Sequence, residues 1–169
     1  MSAHFEQMER KKNTRLVIEG KAFSKGTYYF TFQLNDTFFT AFENADILQA
    51  DLTTDVHINK ALEDTVSISV TITGSVELLC DRCLDRLNIP VSFTGDLDSE
   101  ERKECTDLLS GRIDLTQYVY DNVCLALPIQ RVHPSQESCN REMMALWKKK
   151  TEDKAIDSAF GQLKDLMKN

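Results

Sequence analysis

The chain has no long hydrophobic run. No stretch approaches the roughly 18 to 20 apolar residues that a membrane-spanning helix needs. Its first residues, MSAHFEQMERKKNTRLV, lack the apolar segment of a secretory signal, so the expectation is a cytoplasmic protein with no membrane association. Positive charge is also in short supply. Lys and Arg total 20 against 27 Asp and Glu, a net charge of −7. That disfavours a protein that coats nucleic acid non-specifically over a broad surface, and it suits a basic partner. Glycine is sparse, at 6 of 169 residues, and none of it forms a phosphate-cradling loop. Three histidines are present, and no Ser/His/Asp or Cys/His arrangement has supporting local context. The sequence does not support an enzyme, and no small-molecule substrate is expected. Five cysteines, an odd number in a reducing compartment, argue against a disulfide framework.

What is present is ordinary globular composition, 41% hydrophobic and 28% charged, in a chain long enough for one domain and a tail. The strongest pattern lies at 65–80. Val66, Ile68, Val70, Ile72, Val76 and Leu78 share one parity, and Ser, Thr and Glu take the other, the period of a half-buried strand. Gly74 keeps the parity and predicts a bend or bulge. Leu52, Val56, Ile58 and Leu62 alternate upstream, with Glu63-Asp64 as a hairpin link, and Leu87, Ile89, Val91, Phe93 and Leu97 alternate downstream. Tyr28, Phe30, Phe32 and Leu34 predict another strand, and FFTAF at 38–42 a further one. The acidic stretch 96–112 is aperiodic and reads as a mobile loop. Asp114 and Gln117 resemble a capping box before a helix at about 114–127, where Leu115, Tyr118, Val119 and Ala126 recur at helical spacing. The expected class is therefore α+β: an antiparallel β meander, a partly closed barrel-like sheet, with one packed helix and a helical C-terminal tail. Residues 1–140 are expected to form one β-rich domain and 141–169 the tail, with Ile156, Phe160, Leu163 and Leu166/Met167 on one face of its last helix.

Cys80 and Cys83 sit in CDRCLD, between two predicted strands. A C-x-x-C pair on a hairpin turn aims two sulfurs at one point, the geometry of a zinc knuckle, whereas a redox dithiol prefers a strand-to-helix junction. A metal needs two more ligands. His4 lies near the N-terminus, and His57 falls on the polar parity of a strand and is expected to be exposed. His133 and Cys139 share a loop after Pro128. Cys80, Cys83, His133 and Cys139 thus make a candidate Cys3His set for a structural Zn²⁺. The alternative is reduced thiols that hold no metal, with His133 a solvated loop residue. Cys124 reads as a small buried hydrophobe, and Cys105 as a reserve ligand.

These elements carry a resemblance. CDRCLD between two strands, then IDLTQYVYDNVCLALPIQRVH and a following Cys, then DSAFGQLKDL near the end, resemble the bacterial YceD family of large ribosomal RNA subunit accumulation proteins. Cys80, Arg82 and Cys83 match its first element, Ile113-Asp114-Leu115 and Leu125-Ala126-Leu127-Pro128 its second, His133 and Cys139 its third, and Phe160, Leu163 and Leu166 its fourth. The resemblance covers roughly 40–169. Many relatives carry Cys-x-x-Cys where this chain has His133 and Cys139. The resemblance implies a ribosome-biogenesis factor for large-subunit (23S) rRNA, with a ribosomal protein or that rRNA as partner. Candidate partner contacts are Arg82, the acidic stretch 96–107, and Trp147 with Lys148, Lys149 and Lys150, where a base could stack on the indole while lysines meet phosphates. The alternative function is a zinc-knuckle adaptor for protein interaction, unrelated to rRNA.

Overall fold

The structure, a computed structural model, describes residues 14–20, 23–62, 65–107 and 109–154. They divide into two compact units, and the second takes an internal piece of chain. The first unit runs up to Leu78 and resumes at Asn88–Ile129; the second comprises Leu79–Leu87 and the residues from Gln130 onward.

The first unit is built on strands β1 (Val17–Glu19), β2 (Gly26–Asn35), β3 (Gln49–Leu62), β4 (Thr65–Leu79) and β5 (Arg86–Asp96). β2-β3-β4-β5 form a four-stranded sheet in chain order, the meander that the alternating pattern predicts. It is an open sheet whose edges are β2 and β5, not the partly closed barrel expected. The predicted inward parity holds through the middle of the sheet: Leu52, Val56, Ile58, Ile68, Val70, Ile72, Val76 and Leu78 are all buried, while Tyr28, Phe30, Val66 and Phe93 are half-buried and the side chain of Leu62 lies outside the described residues. Period two lets each strand put alternate side chains on one face, so burying that face settles the register. Gly74 does not mark a bulge. It stays paired with Leu52, and the register irregularity falls instead between Lys60 and Leu62. Gly74 has φ 141°, and a Cβ there would overlap the Asp51 carbonyl oxygen, so the position needs glycine for both conformation and space. The Glu63-Asp64 link lies outside the described residues.

Two stretches differ from the sequence expectation. FFTAF is not a strand: Phe38–Thr40 close helix α1 (Asp36–Thr40), and Ala41 and Phe42 follow in a turn. Asn35 caps it, its Oδ1 accepting from the Thr37 N–H at 3.2 Å. Phe38 and Phe39 are both fully buried, which adjacent residues achieve on a short helix and not on a strand with one solvated face. The acidic stretch is no loop. Asp98 and Glu101 form a reciprocal capping box that starts helix α2 (Ser99–Cys105). Then come β6 (Thr106–Asp107) and β7 (Arg112–Asp114), which join β1 in a small antiparallel sheet of order β1-β7-β6.

Helix α3 (Thr116–Ala126) is the predicted packed helix. Leu115, Val119 and Val123 are buried, and Tyr120 stacks on Phe42 with ring centroids 3.9 Å apart. The predicted capping box is not formed: Asp114 accepts from the Thr116 N–H, and Gln117 turns to Asp121. In the second unit a 3-10 turn at Gln136–Ser138 leads to helix α4 (Arg141–Lys154). The apolar face expected at Ile156, Phe160, Leu163 and Leu166/Met167 lies outside the described residues.

Candidate metal centre

β4 ends at Leu79, and Cys80 continues its inward parity, fully buried. The turn that follows is tied at its base. The Cys80 N–H donates to the Asp85 carbonyl at 2.8 Å, and the Leu84 N–H donates to the Cys80 carbonyl at 2.9 Å. Leu84 takes a left-handed φ of 60° to close it, a conformation uncommon for a leucine. The result buries Cys83 beside Cys80.

The chain returns to this turn 50 residues later. The Asp81 N–H donates to the Arg131 carbonyl at 2.8 Å, and the Arg131 N–H donates to the Asp81 carboxylate at 2.8 Å. This reciprocal pair sets the loop 130–139 against the knuckle. His133 Nδ1 then lies 3.5 Å from Cys83 Sγ and 3.8 Å from Cys139 Sγ. Ser135 shapes the last step by accepting from the Ser138 N–H at 3.2 Å, which presents Cys139, also buried. One donor atom from each of Cys80, Cys83, His133 and Cys139 lies within 4.8 Å of the others.

This set fits zinc. Zn–S near 2.3 Å and Zn–N near 2.0–2.1 Å at tetrahedral angles put donor atoms about 3.6 to 3.8 Å apart. The two sulfur–imidazole separations, 3.5 and 3.8 Å, lie close to that spacing. Burial pushes the Cys80 thiol up, but the backbone N–H groups of Arg82, His133 and Cys83 outweigh it and bring the thiol down to about 6. Burial and the neighbouring Cys83 push Cys139 up, while Arg82 pulls the other way. Arg82 Nη1 donates to Cys139 Sγ at 3.7 Å. Three thiolates around a divalent ion leave one excess negative charge, and the guanidinium lies where it offsets that charge.

Of the other residues singled out from the sequence, Trp147, Lys148, Lys149 and Lys150 lie on α4 in the same unit and are exposed. Cys105 and Cys124 fall on α2 and α3, outside the cluster. His57 is half-buried rather than exposed, its ring stacked on Tyr29 at 4.7 Å. His4 lies outside the described residues. Asp81, Arg131 and Asn140 were not singled out. Asn140 caps α4, accepting from the Glu142 N–H at 3.0 Å, while its amide donates to Asp85 at 3.4 Å. The asparagine ahead of a helical run was a readable cap signal; the return of Arg131 to Asp81 had no local signal.

The family described as large ribosomal RNA subunit accumulation protein YceD matches residues 68–167. The chain belongs to the YceD family. The match begins inside β4 rather than near residue 40, and it takes in the cysteine turn, α2, α3, the His133–Cys139 loop and α4. The family's description gives a role in accumulation of the large ribosomal RNA subunit. No curated protein and no solved structure matches the chain significantly. No helix among the described residues is long and apolar enough to cross a membrane.

Proposed function

We propose that this chain is a non-enzymatic, cytoplasmic factor for accumulation of large-subunit rRNA, which works by holding a ribosomal partner on a scaffold stapled by structural zinc. The observation that carries the zinc reading is the mutual approach, within 4.8 Å, of donor atoms from residues as far apart as Cys80 and Cys139. Three thiolates and one imidazole fill a tetrahedral zinc and leave no position for substrate or water, so the metal supplies cross-linking rather than Lewis-acid chemistry. The metal joins the turn at Cys80–Cys83 to the loop at His133–Cys139, and Asn140 carries that rigidity into the start of α4.

The test has two independent parts. Metal content per chain is measured on protein purified without chelator, for wild type, Cys80→Ser and His133→Ala. One zinc in wild type and a large loss in both variants is expected; wild-type metal near zero overturns the zinc reading. Large-subunit rRNA is measured in cells depleted of the protein. A selective fall relative to small-subunit rRNA is expected. A full zinc complement with unchanged rRNA would instead make the chain a zinc-knuckle adaptor unrelated to rRNA.

A further inference from the structure

Charge is divided unequally between the two units. Among the described residues the first unit holds six Lys and Arg against fifteen Asp and Glu, a net −9. The second holds eight against six, a net +2. The overall acidity therefore belongs to the β unit, and the knuckle unit has the opposite sign. The solvent face of the four-stranded sheet shows the contrast. Asp51, Asp55, Glu77 and Asp96 stand on it among serines and threonines, against one cation, Arg86 at the start of β5. A polyanion is repelled there.

In the second unit the cations gather on α4, at Arg141 and at Lys148, Lys149 and Lys150, all exposed. Directly before the three lysines stands Trp147, 56% exposed, preceded by Leu146 at 63%. Among the described side chains of this helix, Met144 is the buried one. An indole left half in water is an expensive exposure for a side chain of that size. Its neighbours say what would cover it. Lysine is depleted in protein–protein interfaces relative to the rest of the surface, whereas an aromatic face beside lysines is how single-stranded nucleic acid is held, base on ring and phosphate on ammonium. We propose that the exposed surface of α4 around Trp147, where Lys148 and Lys150 flank the indole on either side while Lys149 points away from it, is a contact surface for single-stranded RNA. The knuckle positions it through Asn140, and the acidic β unit keeps RNA off the rest of the surface. This rests on the reading of the chain as an rRNA factor and names its direct partner.

The experiment uses the full zinc-loaded chain and a fluorescein-labelled, mixed-sequence single-stranded RNA of about 12 nucleotides, followed by anisotropy from about 50 to 200 mM salt. Wild type should bind with log affinity falling against log salt at a slope near −1.4, about 0.7 for each of two phosphate contacts. The triple variant Lys148→Glu, Lys149→Glu, Lys150→Glu should lose that slope with the binding. Trp147→Ala should weaken binding about ten-fold and leave the slope unchanged. A charge reversal on the first unit, Lys25→Glu, should change affinity less than two-fold by the same measure. Zinc content and circular dichroism establish that each variant keeps its fold. Wild type that fails to bind RNA at the lowest salt, or a triple variant and Trp147→Ala that bind as wild type, overturns the proposal. Capture of an isolated basic ribosomal protein with no RNA binding also overturns it, yet leaves the wider reading intact, because that reading stands or falls on rRNA levels in depleted cells.

Discussion

Removal of the metal should loosen one loop and spare the sheet, and the size of the effect follows from what else holds the loop. Two backbone-based bonds between Asp81 and Arg131 join loop and knuckle without any metal, each 2.8 Å long. A typical hydrogen bond contributes about 1 kcal/mol net, so the pair gives about 2 kcal/mol. At 1.36 kcal/mol per factor of ten, metal-free loop opening then costs enough to slow amide exchange only about 30-fold. Zinc in a site of this kind contributes roughly 10–16 kcal/mol in small peptides near neutral pH. With metal bound, local opening becomes negligible, and exchange waits for larger unfolding. Hydrogen exchange by mass spectrometry, on zinc-loaded protein and on protein stripped with a chelator, should show the peptide spanning 130–139 exchanging at least about 100-fold faster when stripped. Peptides from β4 up to Leu78 should be unchanged, because Ile68, Val70, Ile72 and Val76 are buried core residues of the first unit. The single tryptophan, Trp147, gives a second reading, since α4 is tied to the knuckle through Asn140. Equal exchange of 130–139 with and without bound metal would refute the reasoning. Loss of protection in β4 alongside the loop would refute it too, by showing that the sheet depends on the site.

Gly74→Ala should destabilise the first unit by about 2 kcal/mol or more, read as a fall in thermal midpoint, since it joins a forbidden φ to an overlap with the Asp51 carbonyl; an unchanged midpoint would mean that β3 and β4 separate freely there. The thiol of Cys105 is pushed up to about 11 by burial and by Glu101, Glu104 and Asp114, so at neutral pH it stays a protonated, unreactive thiol. Its alkylation by iodoacetamide should therefore be slow near neutrality and rise only as pH climbs toward that value. Labelling of Cys105 as fast as a free cysteine at mild pH would contradict the assigned surroundings.

Strand parity was legible because it is local. Each of β2 to β5 writes its inward face into its own residues, and Val70 or Leu87 needs no knowledge of the remainder of the chain to be read as buried. The first half of the candidate site was legible for the same reason, since Cys80 and Cys83 lie on one turn and their spacing limits where the sulfurs can point. Two misreadings came from attending to one signal while another was present. In 96–112 charge hid the Asp98-x-x-Glu101 capping box, and at 38–42 a cluster of aromatics read as strand although Asn35 already offered a helix cap. The meeting of His133 and Cys139 with the first pair is of another kind. Spacing proposed the set, but whether the chain returns depends on Asp81 and Arg131 pairing across 50 residues, and no local periodicity encodes a contact at that separation. The charge division is likewise tertiary. A net −7 is a property of the sequence, but Leu79–Leu87 leaves its neighbours in the chain and joins the residues beyond Gln130, so only the folded arrangement separates an acidic unit from a basic one.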